Sequence, residues 1–248
     1  MRRLPDKSVD MILCDLPYGM TRCPWDMEIP FEPLWEQYLR IVKPSAAIVL
    51  FGAEPFSSRL RLSNIRMYKY DWVWDKVRNT GFLNAKKQPL RCHELISVFY
   101  QGQCYYDPQK TTGHPVKKAF RRAGSIRTST YGKMEKNCLY ESSERYPRSI
   151  QVFSSDLQSV SSQPAQKPIE LLSYLIRTYT RPGETVLDNC MGTGSTGVAC
   201  LTTGRKFIGM EIDPEKFALA ERRISDIAAV LCGGDEIATH GGEGDGDA

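Results

Sequence analysis

The chain has 248 residues, 41% apolar and 25% charged, enough to bury one substantial α/β core with a smaller appended unit. No run approaches the roughly 18 apolar residues of a membrane span, and Met1-Arg2-Arg3-Leu4-Pro5 lacks the apolar stretch of a signal peptide, so a soluble, cytoplasmic protein without membrane contact is expected. The net charge of +4 is modest, but ten Lys and Arg fall between Lys110 and Ile150 against three Glu, a local +7 that favours a polyanionic partner.

In chain order, Val9 to Cys14 is a short apolar run ending at a Pro-Gly loop, and reads as a buried strand. Leu34 to Val42 has helical spacing that Pro44 stops. Ala46 to Phe51, Tyr70 to Trp74 and Leu95 to Tyr100 follow as strands, with Trp72 and Trp74 on one face as core. His93-Glu94, after a basic loop, reads either as a nucleic-acid contact or as the cap of the next strand. Residues 101–164 are polar and basic with little periodicity, and end in a linker from Ser154 to Gln163. Helix Ile169 to Tyr179, turn Arg181-Pro182-Gly183, strand Thr185 to Asp188, helix Ser195 to Thr203, strand Lys206 to Glu211 and helix Pro214 to Leu231 restore the α/β pattern. The stretch from Gly233 to Ala248 carries five acids and no Lys or Arg, and reads as a disordered acidic tail. Four blocks result: 1–100, a basic insertion with its linker at 101–164, 165–232, and the tail at 233–248. Such alternation predicts a largely parallel wound sheet.

The eight cysteines form no CxxC pair and no His/Cys cluster at zinc spacing, so reduced, mostly buried thiols and no metal are expected.

Two loops carry chemistry. Asp188-Asn189-Cys190-Met191-Gly192-Thr193-Gly194 follows a strand and opens a helix, where small residues let a ligand approach backbone amides. Glu211, at the end of the next strand, lies about twenty residues on, where doubly wound folds accept ribose hydroxyls. A tight turn and a solvated strand-end acid are the bland alternatives. Asp15-Leu16-Pro17-Tyr18 also follows a strand. An exocyclic amine is a poor nucleophile because its lone pair is delocalised into the ring; two acceptors on its N–H bonds draw it toward tetrahedral geometry. Asp15 offers a carboxylate, Leu16 a carbonyl held extended by Pro17, and Tyr18 an aromatic face for a base taken out of the duplex. The alternative is a simple Asp-Pro turn.

Together with Gln166-Lys167-Pro168 before the intervening helix, these motifs resemble the permuted β class of DNA amino-methyltransferases, over most of the chain outside the middle block and tail. The resemblance implies a Rossmann-like α/β fold for S-adenosylmethionine-dependent methyl transfer, circularly permuted, with an inserted target-recognition region. It implies that Asp15, Leu16, Pro17 and Tyr18 form the target-amine site. It further implies that Asp188, Cys190, Gly192, Thr193 and Gly194 surround the methionine part of S-adenosylmethionine, that Glu211 meets the ribose, and that Lys167 lies in the segment closing over the cofactor. Double-stranded DNA becomes the partner, with a homodimer and a cognate restriction enzyme as further expectations. In the basic block Lys117, Lys118, Arg121, Arg122 and Arg127 are candidates for phosphate contacts, and Tyr131 or Tyr140 for stacking. Leu16 stands where the family has proline, and Cys190 where it has an aromatic. Family chains also begin with a further strand before a segment like Leu4 to Asp10, so a short sheet edge is expected beside the cofactor half.

Asp15 favours N6 of adenine, since related N4-cytosine enzymes more often carry serine there; N4-cytosine is the nearest alternative. An NAD-binding oxidoreductase fits the Gly192, Gly194, Gly197 spacing but has no use for Asp15 to Tyr18 or the basic block. A catalytically inactive DNA-binding protein is the other alternative.

Overall fold

The computed structural model describes residues 1–21, 23, 26–124, 127–128, 132–133, 136–154 and 166–233. The acidic tail from 234 onward, most of the expected linker, and Tyr131 lie outside the described residues. The elements in order are β1 (Val9–Cys14), α1 (Phe31–Ile41), β2 (Val42–Gly52), α2 (Phe56–Ser63), β3 (Tyr68–Thr80) and β4 (Arg91–Phe99). Then come β5 (Lys117–Arg121), β6 (Arg127–Thr128), β7 (Gly132–Lys133), β8 (Cys138–Ser142) and β9 (Ile150–Val152). Last are α3 (Ile169–Tyr179), β10 (Thr185–Asp188), α4 (Ser195–Thr202), β11 (Lys206–Gly209) and α5 (Pro214–Gly233).

Among the described residues seven strands form one sheet in the order β11-β10-β1-β2-β4-β3-β9. The pairs on the β11 side, through β1 to β2, are parallel. β4 runs antiparallel to both β2 and β3, and β9 pairs parallel with β3. The expected wound, largely parallel sheet is thus present, with an antiparallel β3–β4 turn-back at one side.

Period-two alternation divides β1 between two cores. Met11 and Leu13 pack with Leu172, Leu175, Ile176 and Tyr179 of α3. Ile12 and Cys14 pack on the other face with Leu34, Trp35, Tyr38 and Ile41 of α1. In α1 those four positions recur at helical spacing, so one stripe is buried. Each large side chain removed from water stabilises the fold by about 1.5–3 kcal/mol. Trp72 and Trp74 share a face as expected; their indole N–H groups donate to Tyr179 Oη at 2.7 Å and to the Phe153 carbonyl at 2.8 Å.

Two local expectations are corrected, and one element was not anticipated. α2 had no sequence signal, because only Phe56, Ser57 and Leu60 of its eight residues are buried. α1 ends at Ile41 and β2 starts directly at Val42, so Pro44, expected to stop the helix, lies within a strand. Of the eight free cysteines only Cys14, Cys104 and Cys200 are buried, since Cys23, Cys138 and Cys232 sit in exposed segments.

The chain divides into two compact units, Pro108–Arg148 and the remainder. The middle unit is therefore shorter than the expected 101–164. Cys104 is buried in the main core, and β9 joins the main sheet beside β3, so the flanks of the polar block belong to the larger unit. Nor is the middle unit without regular structure. β5 and β8 form an antiparallel ladder from Lys117↔Ser142 to Arg121↔Cys138, and Thr111 bridges Arg145. With most side chains of this ladder exposed, no apolar alternation marks it in sequence. Among the described residues no helix is long and apolar enough to cross a membrane.

Candidate active site

β1 and β10 are parallel neighbours, with Met11 opposite Val186 and Ile12 opposite Leu187. The loops that follow them, Asp15 to Tyr18 and Asn189 to Gly194, therefore leave the sheet side by side at its carboxyl edge, where open α/β sheets bind ligands. The Leu16 side chain is buried in the α1 core and anchors the first loop. Asp26 secures the loop's continuation, accepting the backbone N–H groups of Gly19, Met20 and Thr21 at 2.7–2.9 Å. Burial works against that carboxylate, but the hydrogen bonds from Thr21, Gly19 and Met20 prevail and hold its pKa below the ordinary value.

Asp15 is engaged on both oxygens. Tyr18 donates its hydroxyl to Oδ1 at 2.6 Å, and Lys167 donates from Nζ to Oδ2 at 2.6 Å. Burial and the neighbouring Asp15 charge raise the Tyr18 phenol well above its usual range, so it stays a protonated donor. One face of its ring stacks on Phe56, with centroids 4.9 Å apart. The Lys167 ammonium also lies 3.3 Å from Glu94 Oε2 and over the Phe51 ring. Lys76 meets the other Glu94 oxygen at 3.1 Å. Burial disfavours the charged form of Lys167, yet Asp15 and Glu94 outweigh it and raise its pKa. Glu94 is likewise penalised by burial and likewise rescued, its pKa lowered by Lys167 and Lys76.

In the second loop the Asp188 carboxylate is buried, accepting the Cys190 N–H at 3.0 Å and the Thr196 hydroxyl at 2.7 Å. Burial pushes its pKa up to about 6 against the opposing Thr196 bond. Asn189 is held by Tyr38, whose hydroxyl donates to Oδ1 at 2.6 Å. Gly192 has φ +53°, and a Cβ there would meet nothing within 4 Å, which leaves room against the loop for a ligand. Gly194, at φ +83°, is confined as well: a Cβ would lie 2.9 Å from Ala220 Cβ of α5. Glu211 accepts the Gly192 N–H at 2.9 Å on one oxygen and the Ile212 and Asp213 N–H groups at 2.9 and 3.0 Å on the other. It thus joins the end of β11 to the glycine loop.

Gln166 and Lys167 connect the two loops. The Gln166 amide donates to the Thr193 hydroxyl, while Lys167 turns to Asp15. The Lys167 ammonium accordingly sits at the first loop, and its neighbour meets the cofactor-type loop. Arg223 of α5 adds a 2.6 Å bond to the Thr193 carbonyl.

In the middle unit Lys117, Lys118 and Arg121 lie on β5, and Arg122 follows directly; all four are exposed. Lys118 pairs with Glu141 at 2.7 Å. Arg127 falls in β6, with its side chain outside the described residues. Tyr140 is half-buried and donates its hydroxyl to the Glu144 carbonyl. His93-Glu94 lies within β4 rather than ahead of it, and Glu94 points into the ion-pair cluster. Glu94, Lys76, Tyr38 and Arg223 carry no motif, because each acts through a partner outside its own segment, and Asp26 carries none because its partners are backbone N–H groups. Among the described residues no group of His, Cys, Asp and Glu is arranged to hold a metal ion.

A family model described as DNA methylase, covering N6 and N4 methyltransferases, matches residues 9–222. DNA adenine methyltransferase YhdJ of Escherichia coli K12 is 25% identical over 244 residues, spanning 92% of this chain and 80% of the relative. The type II methyltransferase M1.MboII of Moraxella bovis is 25% identical over 235 residues, spanning 86% and 88%. Among solved structures, the M1.HpyAVI–SAM complex aligns with a TM-score of 0.57 at 21% identity, covering 90% of each chain. The cytosine-N4-specific PvuII DNA methyltransferase aligns at 0.61 and 15%, covering 93% and 88%. Matched along most of its length, with two adjacent loops at the carboxyl edge of a wound sheet, the chain belongs to the N6/N4 DNA methylase family.

Proposed function

We propose that this chain transfers a methyl group from S-adenosylmethionine to N6 of adenine in double-stranded DNA, acting on a base taken out of the duplex. The observation that carries the reading is the pairing of β1 with β10, which sets Asp15 beside the glycine loop, with Gln166 and Lys167 bridging the two.

The glycine loop fits the cofactor. Gly192 leaves open space against its backbone, Asp188 and Thr193 are fixed by hydrogen bonds, and Glu211 retains acceptor capacity for a ribose hydroxyl. Asp188, Cys190, Gly192, Thr193, Gly194 and Glu211 would hold it, and it would supply an electrophilic sulfonium-bound methyl. Asp15 and the Leu16 carbonyl accept the N–H bonds of the target amine, which directs the nitrogen lone pair outward. Tyr18 offers the base the ring face opposite Phe56. As the amine takes the methyl group that the bound cofactor would supply, the nitrogen would carry positive charge until one of its protons passes to solvent. The Asp15 carboxylate stabilises that charge, and no protein nucleophile takes part. Lys117, Lys118, Arg121, Arg122 and Arg127 are proposed to contact DNA phosphates.

Incubating the protein with methyl-labelled S-adenosylmethionine and DNA from a methylation-deficient host, followed by nucleoside chromatography, tests the reading. Label in N6-methyladenine supports it; label in N4-methylcytosine transfers the same site to cytosine; failure to label DNA refutes it.

A further inference from the structure

Lys76, Glu94, Lys167 and Asp15 form an alternating row of cations and carboxylates, with Nζ–O distances of 3.1, 3.3 and 2.6 Å along it. The first three members are nearly buried, with side-chain exposures of 11% for Lys76, 15% for Glu94 and 11% for Lys167. Two of the row's members come from the antiparallel side of the sheet: Glu94 lies in β4 directly opposite Trp74, two residues before Lys76 in β3. The row thus links that side of the sheet to the loop after β1.

Its four charges sum to zero, and this balance bears on the reaction. Methyl transfer places positive charge on an amine held by Asp15. A lysine in contact with the same carboxylate opposes that charge unless its own field is offset, and in a water-poor site such terms are large. Glu94 supplies the offset. It also gives the Lys167 ammonium a second anion, so that Lys167 is shared and does not close over Asp15 alone. Lys76, on the far oxygen, fixes the Glu94 carboxylate in place.

We propose that Glu94 is a positioning residue for methyl transfer: it shares Lys167 and offsets its charge, so that the Asp15 carboxylate, though bonded by Tyr18 and Lys167, still favours positive charge on the target amine. This rests on the methyltransferase reading above. Glu94→Gln keeps the shape and removes the charge. In single-turnover methylation of DNA from a methylation-deficient host it is expected to slow the step about a hundredfold, the scale of a small misplacement at a reacting centre. Equilibrium binding of labelled S-adenosylmethionine and the melting temperature serve as controls for the cofactor site and the fold. Because Glu94 acts through Lys167, the same substitution in a Lys167→Met background is expected to cost little more, a coupling that a purely structural role does not produce. Should Glu94→Gln not fold, Glu94→Asp carries the test: the withdrawn charge slows the step with Lys167 present and not in the Lys167→Met background. A parental rate for the Glu94 variant, or an equal loss with and without Lys167, overturns the proposal. A second readout needs no turnover. The 15N resonance of the Lys167 ammonium is expected to shift on substitution of Glu94, and an unmoved signal overturns the proposal even where the parent fails to methylate DNA.

Discussion

Lys167 reaches Asp15 Oδ2 at 2.6 Å across 152 positions of the chain. With Gln166 on Thr193, this contact makes one dipeptide a tie between the loop after β1 and the loop after β10. Both loops are therefore set by the same short segment at the entrance of α3, and substitutions there should register at both.

Replacing Lys167 with Met removes the cation from between two carboxylates. Asp15 then loses its ammonium partner and Glu94 keeps only Lys76, and a broken buried pair costs about 3–5 kcal/mol; with Asp15 part-exposed the lower end is expected. Methyl transfer should fall together with thermal stability, read by single-turnover kinetics and a melt. Retention of parental values in both would remove Lys167 from the site.

The two glycines of the second loop should fail differently. Gly194→Ala meets the left-handed strain at φ +83° and also a 2.9 Å approach to Ala220, so the melting temperature should drop by several degrees. Gly192→Ala meets open space and carries only a conformational cost of about 1 kcal/mol, so it should weaken S-adenosylmethionine binding more than it lowers the melt.

Asp188 gives a pH-dependent prediction. Its folded-state pKa, about 6, lies above the ordinary 3.8, so its contribution to stability is fully present below about pH 4 and lost as pH rises through 6. Asp188→Asn avoids burying that charge. The variant should match the parent in denaturant stability near pH 4 and exceed it by about 2–3 kcal/mol at pH 8, the free-energy equivalent of this shift. A constant difference across that range would show that the hydrogen bonds to Thr196 and Cys190, and not the charge, decide the effect.

Much of this architecture was legible. α3 carries strong periodicity, β1 is mostly apolar before a Pro-Gly loop, and β10 is short but bounded by the Arg181-Pro182-Gly183 turn and the glycine loop. α2 was not legible, because Phe56 and Leu60 share a face over only one turn and Leu62 is exposed, too short a stripe to stand out among Ser and Arg. The hairpin of β5 and β8 was hidden for the complementary reason, since exposed strands need no alternation. The motifs identified the Asp15 and Gly192 loops, but the ion-pair row through Glu94 and Lys76 depends on which strands become neighbours. Nothing local marks Glu94 as the partner of a lysine 73 positions away.

The basic residues of the middle unit should separate in salt titrations. Each phosphate contact contributes about 0.9 to the slope of log affinity against log salt on duplex DNA. Lys117→Ala or Arg121→Ala should lower the slope by about that amount. Lys118→Ala should lower it less, because Glu141 already pairs with its ammonium at 2.7 Å. Equal slopes for all three variants and the parent would place DNA binding elsewhere.

The most direct test of the central claim is Asp15→Ala, measured in one preparation for equilibrium binding of labelled S-adenosylmethionine and for single-turnover methylation of DNA. The account predicts cofactor binding close to the parent's and methyl transfer reduced by about a thousandfold, as for loss of a preorganised charge-stabilising group. Methylation at the parental rate with cofactor bound would contradict it.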